Sequence, residues 1–110
     1  MSSLELMQGT LDMLVLRALA RRDMHGYGIS EWLRERTDGA LEIGDAALYK
    51  AVRRLEARGW VEAEWGSSEN NRRARYYSIT PKGRGQLRTE SRAFRRYVDM
   101  VFHVLDGAAE

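Results

Sequence analysis

Lys50, Arg53 and Arg54, with Tyr49 beside them and the small Ala46 about one helical turn earlier, are the side chains of this chain best suited to chemistry. A guanidinium can pair in bidentate fashion with a guanine edge, while an ammonium or a tyrosine hydroxyl can reach a phosphate. A second cluster, Arg72, Arg73 and Arg75, follows in a polar stretch and can neutralise phosphates without reading sequence. Tyr27 offers a further hydroxyl to a sugar-phosphate backbone. The chemistry these residues predict is non-covalent contact with double-stranded DNA.

No reaction centre assembles from the rest. His25 and His103 lie far apart and lack metal-ligand spacing, and the sequence has no cysteine, so neither a disulfide framework nor a thiolate metal site is expected. Ser/His/Asp and Cys/His constellations, a glycine-rich phosphate loop and paired carboxylates in an apolar setting are all missing. The expectation is a protein that is not an enzyme and uses no cofactor and no metal. Trp32, Trp60 and Trp65 are expected as core or inter-helix anchors.

The first basic cluster needs a helix to present it. Leu48, Val52 and Leu55 recur at i, i+4 and i+7, so Asp45 to Gly59 makes one apolar stripe, with Ala46, Lys50, Arg53 and Arg54 opposite and Tyr49 on the flank. Asp45 is the expected N-cap, and Gly59 supplies the left-handed residue past the end. Trp60, Val61, Ala63 and Trp65 then alternate with acids as a strand. The turn-rich segment Gly66 to Arg73 leads into a second strand, Ala74 to Ile79, rich in aromatic and β-branched residues. Two strands joined by a basic loop form a wing.

Upstream, Leu11, Leu14, Val15, Ala18 and Leu19 predict a core helix from Leu4 to about Arg21. Asp23 to Gly28 reads as a turn, and a second helix from about Tyr27 to Thr37 buries Ile29, Trp32 and Leu33. Leu41 and Ile43 suggest a short edge strand before the basic helix. Downstream, Thr80-Pro81 opens a last helix as N-cap and N1. It should run to about Leu105, roughly 39 Å at 1.5 Å per residue. Leu87, Phe94, Val98, Val101 and Leu105 form an a/d-like seam that one small domain cannot cover, so a second subunit is expected against it. The fold class is therefore mainly α with a small β-hairpin. A winged helix-turn-helix DNA-binding domain spans residues 1–79, and a long C-terminal dimerisation helix spans 80–110.

Charge follows the same division. The net +2 conceals −3 over residues 1–49, +8 over 50–96 and −3 over 97–110. Such clustering is the footprint of a polyanion partner. The chain has one domain's worth of residues, no apolar run long enough to span a bilayer, and acids at Glu5 and Asp12 that interrupt any leader-like start. A cytoplasmic protein without membrane contact is expected.

Several strings now align in order: Gln8 to Leu19, His25-Gly26-Tyr27-Gly28-Ile29, Ala47 to Gly59, Trp65-Gly66, Arg72 to Tyr77 and Thr80 to Gly83. Together they resemble the PadR family of bacterial transcriptional regulators over about residues 6–105, and the single C-terminal helix is similar to the family's short subgroup. The resemblance implies a homodimer on a palindromic operator, usually acting as a repressor. It also implies that the C-terminal helix packs on the partner's N-terminal and C-terminal helices. Lys50 departs from the proline that many members carry after the Leu-Tyr pair, so the operator is not transferable from relatives. Phe94 stands near a position where a member that binds flat aromatic compounds has tryptophan. A small hydrophobic effector between subunits would here meet a smaller platform of Phe94, Tyr97 and Val98.

The rival reading is an adaptor that uses the winged fold to bind protein and has no DNA duty. The +8 stretch argues against it, since an adaptor needs no such charge.

Overall fold

The computed structural model describes residues 9–107. The leading helix, α1 (Thr10–Arg21), begins after Gly9 at φ 86°, and Leu4 and Met7, expected in the same helix, lie outside the described residues. β1 (Met24–His25) follows, then α2 (Gly26–Arg36), α3 (Asp45–Ala57), the hairpin β2 (Val61–Ser67) and β3 (Arg73–Ile79), and α4 (Pro81–Asp106). This is the winged helix architecture expected, with a third strand added. The sheet order is β1-β3-β2, antiparallel throughout, with Met24 opposite Tyr77 and Val61 opposite Ile79.

That third strand corrects two expectations. Asp23 to Gly28 is not a turn: Met24 and His25 pair with β3, and α2 starts at Gly26. The His25 ring makes this possible by capping α2, with Nδ1 accepting from the Gly28 N–H at 2.9 Å. Leu41 and Ile43 form no strand, because β1 already occupies the free edge of β3. Leu41 is buried in the core instead, and Ile43 packs against it.

The core is the meeting of three amphipathic helices with one face of the sheet. Leu16, Leu19, Ile29, Leu48 and Leu55 are fully buried, joined by Val15, Val52, Leu33 and Tyr77. Burying each such side chain contributes about 1.5–3 kcal/mol, enough in aggregate to order a small domain.

α3 ends as the sequence predicts. Gly59 has φ 76°, its N–H donates to the Glu56 carbonyl at 3.0 Å and the Trp60 N–H donates to the Leu55 carbonyl at 3.0 Å, a Schellman pair. Its start is one residue earlier than expected. Gly44 is the N-cap, because its carbonyl already accepts from the Leu48 N–H, and Asp45 sits inside the first turn, where its charge still favours the helix dipole.

Thr80 ties hairpin, α3 and α4 together. Its Oγ1 accepts from the Gly83 N–H at 3.0 Å and donates to the Gly59 carbonyl at 2.8 Å. A Cβ on Gly83 would fall 2.2 Å from the Trp60 carbonyl oxygen, so only glycine lets α4 approach this closely. The first turns of α4 thus join the core through Leu87. Its far half leaves the body, and the chain measures 61 × 35 × 20 Å. No helix among the described residues is long and apolar enough to cross a membrane.

Candidate nucleic-acid interface

With Leu48, Ala51, Val52 and Leu55 buried, α3 turns Ala46, Tyr49, Lys50 and Arg53 outward at i, i+3, i+4 and i+7. All four are exposed, and Lys50 and Arg53 enter none of the ion pairs among the described residues. Two cations on a smooth helical face, one turn apart, suit contact with base edges in a major groove.

The wing closes one side of this face. A cleft of about 510 Å³ runs between the start of α2, α3 and the hairpin, bringing together Tyr27, Tyr49, Arg53, Arg72, Arg73 and Arg75. Ala46 and Lys50 lie on the open surface beside it. The three wing arginines are held differently. Arg72 is exposed in the loop, Arg73 stacks 4.4 Å over the Trp65 ring, and Arg75 donates to Glu56 at 3.1 Å.

Trp65 is therefore not a core anchor as expected. It is 56% exposed, because the register carries it past the pair of half-buried Ala63 and buried Tyr77 to a position opposite Arg75, beyond the body's edge. Trp32 and Trp60 are partly buried against the core, each with arginine over its ring.

Arg54, at the edge of the outward face and still 47% exposed, is tied to α1. Its Nε and Nη2 donate to Asp12 Oδ2 and Oδ1 at 3.1 and 2.6 Å, and this hydrogen bond raises its pKa above the ordinary value. Asp12, 42 positions upstream, is the acid that holds Arg54, and among the described residues no acid nearer in sequence does. Burial raises the pKa of Tyr77, on the floor of the cleft, with Tyr49 adding to the effect.

Two further participants carried only weak sequence signals. His25 caps α2 at the cleft's rim, where the adjacent glycines concealed a helix start. Glu56 gives no sign in sequence that it faces the wing. His103 is exposed on α4.

The residues expected at a dimer or effector surface divide. Leu87 packs on the core, while Phe94, Val98 and Val101 are half-buried and Tyr97 and Leu105 exposed. Phe94 and Tyr97, ring centroids 6.4 Å apart, flank a groove of about 400 Å³ between α4 and the α1 residues Gly9, Thr10 and Met13. Val98 lines a separate depression with Phe94, Arg95 and Asp99.

The profile of the PadR-like transcriptional regulator family matches residues 15–89, which include the whole of α3, the wing and the start of α4. The chain belongs to the PadR-like family. Among solved structures, a transcriptional regulator from Clostridium thermocellum is 31% identical, with a TM-score of 0.78 over 86% of this chain and 91% of that one. A PadR family regulator from Eggerthella lenta is 32% identical, with a TM-score of 0.77 over 92% of this chain and 86% of that one. Bacillus subtilis PadR in complex with operator DNA is 18% identical and similar in fold, with a TM-score of 0.64 over 72% of this chain and 45% of that one.

Proposed function

We propose that this PadR-like regulator binds double-stranded DNA sequence-specifically in the cytoplasm, as a homodimer on a two-fold symmetric operator, and represses transcription. The outward row of Ala46, Tyr49, Lys50 and Arg53 beside the arginine-bearing wing carries this reading. Lys50 and Arg53 would read bases while Arg72, Arg73 and Arg75, with the hydroxyls of Tyr27 and Tyr49, would hold backbone. That a PadR structure of this fold was solved with operator DNA supports the assignment.

Dimerisation is supported by α4. Met100, Val104, Tyr97, Val101, Leu105 and Val98 spread over an arc of about 160° at 100° per residue. That is wider than one two-helix seam, as expected for a helix packed against both α1 and α4 of a partner. Two recognition helices would then enter successive major grooves about 34 Å apart. The groove beside Phe94 and Tyr97 suits a small hydrophobic effector that releases the DNA. The reading assigns no catalysis, cofactor or metal.

The deciding experiment is binding of the purified protein to its own upstream DNA against a scrambled duplex, by anisotropy at two salt concentrations. Preference for the upstream fragment that survives the higher salt is the expected result. Equal, salt-sensitive binding to both would overturn sequence-specific recognition at that fragment, and no binding to either would favour the protein-adaptor reading.

A further inference from the structure

Asp12 and Thr80 are the buried polar or charged residues among those described, and Asp12, 7% exposed, is the one that carries a charge. A carboxylate taken out of water must be matched by donors, and Asp12 is matched by Arg54 of α3 and by Arg58, the helix's C-cap residue. Arg54 grips both of its oxygens in a planar fork, and Arg58 Nη1 stands 3.8 Å from Oδ2. Asp12 also sits in the first turn of α1, where the helix dipole favours its negative charge.

This arrangement has two consequences for α3. Arg53 and Arg54 are neighbours in sequence and so point about 100° apart around the helix. Fixing Arg54 on α1 therefore adds a polar lock to the roll, set by the buried Leu48, Ala51, Val52 and Leu55, that turns Lys50 and Arg53 outward. The same carboxylate pairs with two cations whose side chains stay 47% and 51% exposed, and so offsets charge that would otherwise face solvent or DNA. A free Arg54 or Arg58 would add phosphate affinity indifferent to sequence.

We propose that Asp12 is a positioning residue for sequence discrimination: through Arg54 and Arg58 it locks the roll of α3 and offsets their charge toward DNA. This rests on the DNA-binding reading above. The α1 turn that carries Asp12 also forms one wall of the groove under Phe94 and Tyr97, through Gly9, Thr10 and Met13. Anything seated in that groove bears on the element that holds the recognition helix.

The test measures the salt dependence of binding to the upstream duplex and to a scrambled duplex for the full-length wild type, Asp12→Asn and Arg54→Met. The wild-type arm reports on DNA recognition itself: failure to prefer the upstream duplex overturns that reading, whatever the variants do. Given a discriminating wild type, Asp12→Asn is expected to bind scrambled DNA more tightly, to lose discrimination by roughly tenfold, and to steepen the log–log salt slope by about 0.9 per arginine released. Arg54→Met is expected to lose discrimination with the slope unchanged, because Arg54 is not a phosphate contact. Asp12→Asn that melts at lower temperature yet keeps slope and discrimination would reduce the pair to a structural clamp and overturn the proposal. If Asp12→Asn does not fold, Arg54→Met decides alone. A slope shallower by about 0.9 per subunit would make Arg54 a DNA contact, again overturning it.

Discussion

The winged body and the far half of α4 are built from the same apolar residue types, and they differ in whether one chain can cover them. In the body, Leu16, Leu19 and Ile29 are sealed between helices and sheet. On α4, Val104 and Leu105 are 75% and 71% exposed, with Met100 and Phe102 alongside. The radius of gyration, 15.9 Å, exceeds the roughly 13 Å of a compact chain this long because α4 projects. The body is a finished core; the distal helix leaves apolar side chains uncovered by the described residues.

The same truncation applied to both regions tests this most severely. Leu16→Ala should cost about 3–5 kcal/mol of unfolding free energy in urea denaturation, since Leu16 is fully buried in the core cluster and its removal leaves a cavity. Leu105→Ala should leave the unfolding free energy of the dilute, monomeric chain within about 0.5 kcal/mol of wild type. Comparable losses would mean that α4 folds back on its own body.

Charge on the exposed face should sharpen the contrast from the other side. Val101→Asp combined with Leu105→Asp should raise the dimer dissociation constant by about 100-fold, near 2.7 kcal/mol, in sedimentation velocity. Helicity by circular dichroism should remain. If no dimer forms in the wild type either, α4's partner is not a second copy.

How much of this was legible in sequence follows the same division. The a/d spacing of Leu87 to Leu105 exposed the unfinished seam, and the Leu48-Val52-Leu55 stripe with Gly59 placed α3 and its outward face, because these are local periodic signals. What depended on contacts between distant segments was hidden. β1 is two residues long and exists only because β3 has a free edge. Asp12 looks like any acid within the first helix until folding places it against Arg54, 42 residues away. Trp65 follows the alternation of its strand faithfully, but alternation does not say where the body stops.

Within the body, a smaller contrast separates free cations from tied ones. Arg53→Ala should weaken upstream-duplex binding by about 1–3 kcal/mol and scrambled binding much less, whereas Arg72→Ala should weaken both alike and flatten the salt slope by about 0.9 per subunit. Arg75→Ala should flatten it less, because Glu56 already holds that guanidinium. Equal losses on both duplexes for Arg53→Ala would remove it as a base reader.

The smallest effect expected belongs to the body through Tyr77. Its hydroxyl group lies on a side chain only 4% exposed, and burial raises its pKa above 10.0, with Tyr49 reinforcing the shift and Arg75 and Arg53 opposing it. The folded state therefore holds this proton more tightly than the unfolded chain does. The resulting stability is fully present below the unfolded value, about 10, and is lost as pH rises through the higher folded value. Urea midpoints at about pH 8 and about pH 11 should fall further for the wild type than for Tyr77→Phe, which has no proton to lose. An equal fall in both would place the alkaline loss elsewhere. A smaller fall in the variant would show that the sheet is held to the helices by a ring that must stay neutral, a constraint the open face of α4 does not share.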